Sequence, residues 1–488
     1  MGVRTMADRL QSRPGRDQLG RAALVAGLVL AAAMVGLLLG LRRAGTLRPE
    51  LIVVGVLAVS SIPIWISRGK LEYGIAAILL AAGLLNFVTL PTGTQSRLVL
   101  SLVVAAGCIG LWIFKAFAQG RPVRLKPARI NRPLLGFILV GLVSYGWANV
   151  MRDPTVYVWP SFPFVQLAAL AVNTLLPLLA LFVANQIEDV RRLKAITWLI
   201  LGLGTFAVVS SLFHLPTSAA ISNGSRGLFA AWVGILAYSQ LLFNHSLSRR
   251  TRVWLVALFT GVVIQYFFIY VTWFSGWVPL AVGCAVVTML RSWKLSITFA
   301  AILVVFLAFN SSYYFKELYQ TKVNSGDLER LTIWDRSLGL VAHHFMLGMG
   351  PAGYAVYNVA YFPQDARSTH NNYFDILAQT GVVGFAMFAW LLAAFVRTGI
   401  VVRKRLKGSR GFELAFASGT LGGCVAILFS MVLGDWVLPF AYNQTIAGFD
   451  NACFTWILLG AMVGLEHMIS AGGVPSASAA PTPSFLDA

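Results

Sequence analysis

Apolar residues run through this chain in blocks of roughly 18 to 22, broken by short polar or basic interruptions. Wound as an α-helix, a block of that length crosses the ~30 Å of hydrocarbon in a bilayer. The blocks predict an all-α, polytopic transmembrane helix bundle of about 14 spans, near 22–41, 50–67, 71–89, 98–117, 133–151, 163–185, 195–213, 226–244, 253–270, 273–290, 295–310, 376–396, 412–433 and 450–466. The chain then divides into a basic cytoplasmic tail (1–21), an N-terminal bundle of about 11 spans (22–310), one long external loop (311–375), about three C-terminal spans (376–466) and a cytoplasmic tail (467–488). That last tail is rich in Ala, Pro and Ser and is expected to be disordered. The first apolar block is about twenty residues long with no small-residue cleavage site, and reads as a retained helix rather than a signal peptide.

Composition agrees, with 58% hydrophobic and 11% charged residues in 488. The formal charge of +20 reflects membrane topology rather than nucleic-acid binding, because Lys and Arg are retained on the cytoplasmic side. With both termini inside, most of the 38 Lys and Arg fall there, most densely in "GRPVRLKPARINR" (Gly120 to Arg132) and "RKRLKGSR" (Arg403 to Arg410). Arg42, Arg43 and Arg48 break the rule at the first hairpin. The four cysteines all fall within expected spans, as small apolar fillers with no disulfide or metal spacing. Span centres nearly free of ionisable groups argue against an ion-coupled transporter, and the lack of an evident internal repeat disfavours the inverted-repeat transporter folds.

Polar chemistry concentrates instead in the loop 311–375, far longer than a connection without a task needs to be. "SGDLERLTIWDRSLGLVAHH" starts with a cap signal at Ser325 or Asp327, and Leu331, Trp334, Leu338 and Val341 then recur at spacings of three and four. That pattern predicts an amphipathic helix lying on or against the bundle. Arg330 and Arg336 lie off the stripe and about 120° apart, so one faces a site while the other faces solvent or headgroups. Next, "FMLGMGPAGYAVY" carries Gly348, Gly350, Pro351 and Gly353, the chemistry of a tight turn. No Lys-Ser or Lys-Thr follows, which rules out a P-loop. The loop closes with "STHNNYFDIL", where Asp375 is placed to cap the next span. On its own, His370 is an interfacial histidine as readily as a catalyst.

The order of these features is more specific than any one of them. "SNGSRGLFAAW", "ERLTIWDRSLGLVAHHFMLGMGPAGY" and "STHNNYFDILAQTGVVGF" together resemble the O-antigen ligase and polymerase superfamily of bacterial membrane glycosyltransferases, of the GT-C-like kind. The detailed resemblance covers about Arg330 to Phe385, with a looser one near Arg226. It implies a multi-pass protein of the bacterial cytoplasmic membrane, acting on the periplasmic or outer face. Its implied donor is an undecaprenyl-pyrophosphate-linked glycan. The acceptor is a hydroxyl of lipid A core in a ligase, or another lipid-linked repeat unit in a polymerase.

The chemistry suits those residues. The departing lipid pyrophosphate gains negative charge, which the guanidinium groups of Arg226 and Arg330, with Arg336 behind them, are suited to stabilise. His370 is the expected base for the acceptor hydroxyl, with His343 and His344 read as structural. Asn371, Asn372 and Tyr373 would orient His370 or bind sugar hydroxyls. Gly348 and Gly350 would shape the substrate-binding turn, and Asp435, in "LGDWVLPF", would hold His370 in one tautomer or make a loop salt bridge. No metal and no cofactor is expected, since the external loops lack paired acids and the donor is already activated. Two departures stand out: "TWFSGWVPL" has Gly276 where relatives often carry Arg, and no Asn-Pro-Asn run follows Arg226. Two rival readings remain, a transporter or flippase for lipid-linked sugars and a non-catalytic envelope scaffold.

Overall fold

The computed structural model describes residues 71, 73–86, 89–91, 97–118, 125–214, 227–270, 273–309, 311–312, 330–366 and 368–474. The spans expected at 22–41 and 50–67, the cap at Ser325 or Asp327 and Arg226 lie outside the described residues.

The remaining expected spans all fall on helices. After α1 (Tyr73–Leu84) a hairpin pairs β1 (Thr89–Pro91) with β2 (Arg97–Val99), with Leu90 opposite Leu98. The chain continues as α2 (Leu100–Ala118), α3 (Asn131–Val150), α4 (Phe162–Gln186), α5 (Val190–Leu212), α6 (Phe229–Phe243), α7 (Arg249–Ile264), α8 (Phe274–Arg291) and α9 (Trp293–Phe309). The loop region supplies α10 (Arg330–His343) and α11 (Gly353–Tyr361), and α12 (Asn372–Arg405), α13 (Phe412–Leu433) and α14 (Phe449–Ser470) complete the bundle. Among the described residues, 9 helices are long and apolar enough to cross a membrane, so the architecture is that of a multi-pass membrane protein. With no water in hydrocarbon to satisfy free N–H and C=O groups, apolar stretches of this length have the helix as their one open-chain solution.

The last helix is the centre of the packing. Almost every residue of α14 is buried, and its Thr455 accepts a 2.8 Å hydrogen bond from the indole of fully buried Trp232 on α6. Gly460 of α14 meets α4 so closely that a Cβ would stand 2.3 Å from the Ala180 carbonyl oxygen. Lipid is as apolar as a leucine, so helices in membranes associate through such close backbone approach.

The two ends of the bundle differ in chemistry. At one end Lys126 pairs with Glu188 at 3.0 Å, Arg129 with Glu466, and Arg405 donates to Ser470 at 2.7 Å. These residues belong to the segments expected on the inside. The opposite end carries the 151–161 connection, α10, α11 and the chain on either side of Asp435, with the start of α12 among them.

At that opposite end the 151–161 connection is fastened to α11. The Asp153 amide donates to the Tyr357 hydroxyl at 3.0 Å, and the Tyr361 hydroxyl donates to the Asp153 carboxylate. Tyr361's hydrogen bond is the main reason the Asp153 carboxyl is held below its ordinary range. Burial pushes the nearby His344 imidazole down, an effect that Asp153 only partly offsets. The folded protein therefore favours neutral His344. That contribution to stability is complete above about pH 6.5, the ordinary histidine value, and is lost as the pH falls through and below it. Asp153 stays ionised throughout that range. Melting temperatures in detergent at pH 7.5 and 5.5 are expected to differ less in His344→Gln than in the wild type, and an equal difference in both would refute the assignment.

Candidate active site at the start of the broken helix

The site begins with a helix that breaks. At Gly381 α12 adopts φ 64°, ψ −171° before resuming. The turn "LGMG" closes against this break. Val382 N–H donates to Phe345 O at 2.8 Å, Met349 N–H to Ala378 O at 2.8 Å and Gly350 N–H to Gln379 O at 3.0 Å. The Ser144 hydroxyl of α3 lies 2.6 Å from both Leu347 O and Gln379 O. Irregular backbone at the edge of an apolar bundle persists where protein satisfies it in this way.

Both glycines are required by contact and by conformation. Gly348 has φ +70°, and a Cβ there would lie 2.5 Å from Gln379 C; one on Gly381 would lie 2.3 Å from Met346 C. The expected tight turn is present, but its amides face the protein: Gly348 N–H donates to His344 O at 2.9 Å and Gly350 N–H to Gln379 O. Gly348 and Gly350 therefore contribute to the site by shaping the backbone rather than by cradling a ligand.

Upstream of the break, the start of α12 is built by its own polar residues. Asn371 is the N-cap, its side chain accepting from Tyr373 N–H at 2.9 Å, so the cap expected of Asp375 belongs to Asn371 instead. Asp375 sits in the first turn and is fully buried, accepting the Thr369 hydroxyl at 2.5 Å. Asn372 locks the 435–440 segment, donating to Leu438 O at 2.6 Å and accepting from Val437 N–H at 3.1 Å. Tyr373 donates to Leu428 O at 2.9 Å. These three residues thus build the frame around His370 through contacts within the protein.

His370 precedes the cap with φ 48°, a left-handed conformation that a non-glycine residue adopts at a cost of order 1 kcal/mol. Its Nδ1 stands 3.1 Å from Asn443 Nδ2, and that same nitrogen donates to Asp435 Oδ1 at 2.6 Å. Asp435 thus reaches His370 through Asn443. Asp435 Oδ2 accepts Phe440 N–H at 2.9 Å. Burial pushes the Asp435 carboxyl above the ordinary carboxylate range, partly opposed by that amide. Asp375 lies near enough to interact with it electrostatically.

The arginine-bearing helix is tied to the same place. Trp334 of α10 donates from its indole to Thr369 O at 2.9 Å and stacks on Phe374 at 5.2 Å between centroids. Arg330 is four residues before Trp334 and so shares its face of α10, the one toward the His370 segment. Arg336 lies elsewhere, its guanidinium 5.0 Å from the Phe362 ring centre. The buried positions of α10 are Ile333, Ser337, Leu340 and Val341, whereas Leu331 and Leu338 of the expected stripe point outward. In a membrane, apolar side chains have two apolar surroundings to choose from, so hydrophobicity alone does not mark the packed face.

Although Arg226 is not described, its neighbour Gly227 (φ +68°) packs beside Asn451 and Trp436, the residue after Asp435. At Gly276, the departure noted in the sequence, a Cβ would meet Tyr266 at 2.6 Å and Trp273 at 2.8 Å, and Trp273 in turn packs edge-on against Trp436. The space a cation would need there is filled with aromatic rings. Among the described residues no group of three His, Cys, Asp or Glu gathers as a metal ion would require.

The site residue that sequence reasoning missed is Asn443, which lies in no motif and 73 positions from His370. Set against known proteins, residues 211–389 match the family model described as O-antigen ligase, a stretch that includes α6 to α11, His370 and the break at Gly381. No curated protein matches the chain. The family match supports a function of the O-antigen ligase or polymerase type.

Proposed function

From the match of residues 211–389 to the O-antigen ligase family model we propose that this protein transfers a glycan from undecaprenyl pyrophosphate to an acceptor hydroxyl, that of lipid A core in a ligase, on the outer face of the cytoplasmic membrane. The observation that carries the reading is the convergence of His370, Asp435 and the Arg330 face of α10 at the end of the bundle opposite its basic segments. In the proposed step the acceptor O–H gives its proton to His370. Its oxygen forms a bond to the anomeric carbon, and the bond from that carbon to the pyrophosphate oxygen breaks with the electron pair leaving on the pyrophosphate. Arg330, with Arg226, would stabilise the charge gathering there, and Arg336 would act as a more distant cation.

Purified protein in liposomes, given lipid-linked glycan and lipid A core, is expected to form glycan-bearing lipid A. Lengthened lipid-linked chains instead would identify the polymerase form of the same chemistry, and movement of donor between leaflets with no new glycosidic bond would overturn the enzyme reading for that of a transporter. Arg330→Lys keeps the charge but loses the planar fork that meets two phosphate oxygens at once. Transfer is expected to fall by about 10-fold or more, the equivalent of one charge-assisted hydrogen bond. Unchanged transfer would remove Arg330 from the pyrophosphate site.

A further inference from the structure

Asn443 holds its place by backbone bonds that do not involve His370. Its N–H donates to Phe440 O at 3.0 Å, while the neighbouring Gln444 side chain donates to Asp435 O at 2.9 Å. The side-chain amide is therefore presented by a braced turn. It has two hydrogens, and two acceptors stand within reach: Asp435 Oδ1 at 2.6 Å and His370 Nδ1 at 3.1 Å. Which end of the amide faces them follows from electrostatics. While Asp435 is ionised, an amide oxygen 2.6 Å from its carboxylate oxygen would set two acceptors against each other, so in that state the nitrogen takes the position.

This fixes the proton on the imidazole. Because Nδ1 receives a hydrogen from Asn443, it carries none itself, and the proton of neutral His370 resides on Nε2. We infer that Asn443 is a positioning residue that sets the tautomer of His370, holding it at rest as an Nε2–H donor and making it a base only when the amide turns over. The inference rests on the proposed role of His370. With the amide turned, Oδ1 accepts from Nδ1–H and Nε2 carries the lone pair that would take the acceptor proton. The same oxygen then faces Asp435 Oδ1, which is compatible only with a protonated Asp435. That carboxyl is buried, which favours a proton, while the Phe440 N–H it accepts favours the ionised form, so Asp435 is poised between the two states that the turning amide requires.

The wild-type protein gives the first test. With its six histidines labelled with nitrogen-15 and the His370 resonance identified by its loss in His370→Ala, the resting spectrum is expected to show the Nε2–H tautomer. An Nδ1–H tautomer would overturn the inference. The second test compares Asn443→Asp with Asn443→Leu. A carboxylate at 443 offers Nδ1 only acceptors, draws the ring proton to that side and leaves Nε2 basic, whereas leucine holds neither form. Asn443→Asp is expected to retain at least about 10-fold more kcat than Asn443→Leu, with KM within about 2-fold for both. A merely structural residue would give the reverse order, because the added charge beside Asp435 would harm the fold more than an isosteric leucine, and that order would refute the inference. If His370→Ala keeps full transfer while the resting tautomer is Nε2–H, the base role fails and the hold by Asn443 stands.

Discussion

His370→Ala is expected to lower kcat for glycan transfer by about 10²- to 10⁴-fold, the range supplied by a positioned general base, with donor affinity retained. The separation of the two effects follows from the surroundings of the ring. The His370 ring meets Asn443, whereas the start of α12 is built by other side chains: Asn371 caps the helix and Asn372 ties it to the 435–440 segment. Removing the imidazole leaves that frame and the arginine-bearing helix in place, so binding of the charged donor persists while the proton has nowhere to go. Transfer rates measured alongside binding of labelled donor in liposomes decide the matter. Full transfer by the alanine variant would eliminate His370 as the base and leave the arginines to act alone.

Gly348→Val should have a comparably large effect by a different route. The side chain would enter a space where Gln379 C, Thr380 N and Gly381 N stand 2.5 to 2.6 Å from the first added atom, all of them backbone. A β-branched residue also resists the left-handed conformation at that position. Strain of about 1–3 kcal/mol for the conformation and a similar amount for overpacking together consume much of the margin of a typical fold. Recovery of monodisperse protein from detergent is expected to collapse, whereas Gly339→Ala, on an open face of α10 with nothing within 4 Å of the new atom, should leave recovery unchanged. Ordinary recovery of Gly348→Val would mean that the turn and the break are not held together as described.

Much of the architecture was legible because a membrane makes a one-dimensional demand. Twenty apolar residues in a row have few alternatives, and α2 to α5 lie within a few residues of the expected spans. Boundaries failed where that demand lapses: the span expected at 376–396 is part of a helix beginning at Asn372 and ending at Arg405, since polar residues at its ends meet protein or headgroups rather than hydrocarbon. The turn expected at Gly348 is present, and the motif stretch includes the segment of His370, but the partners of both were hidden. Asn443 carries no periodic or compositional signal, and its value comes wholly from a fold that brings it within 3.1 Å of His370. The packed face of α10 was hidden for the opposite reason, because both of its faces are apolar enough to read as buried.

The break at Gly381 also sets a depth. An unbroken α12 of 34 residues would run about 51 Å, far more than the ~30 Å of hydrocarbon. The part after the break, from Val382 to Arg405, is by itself long enough to cross at about 36 Å. The nine residues before it are then surplus to the crossing and belong at the level of the lipid headgroups, together with His370. On the proposed function this is the height at which a polyprenyl carrier displays its pyrophosphate, so the donor would meet the site by moving sideways in its own leaflet, without being lifted from the bilayer.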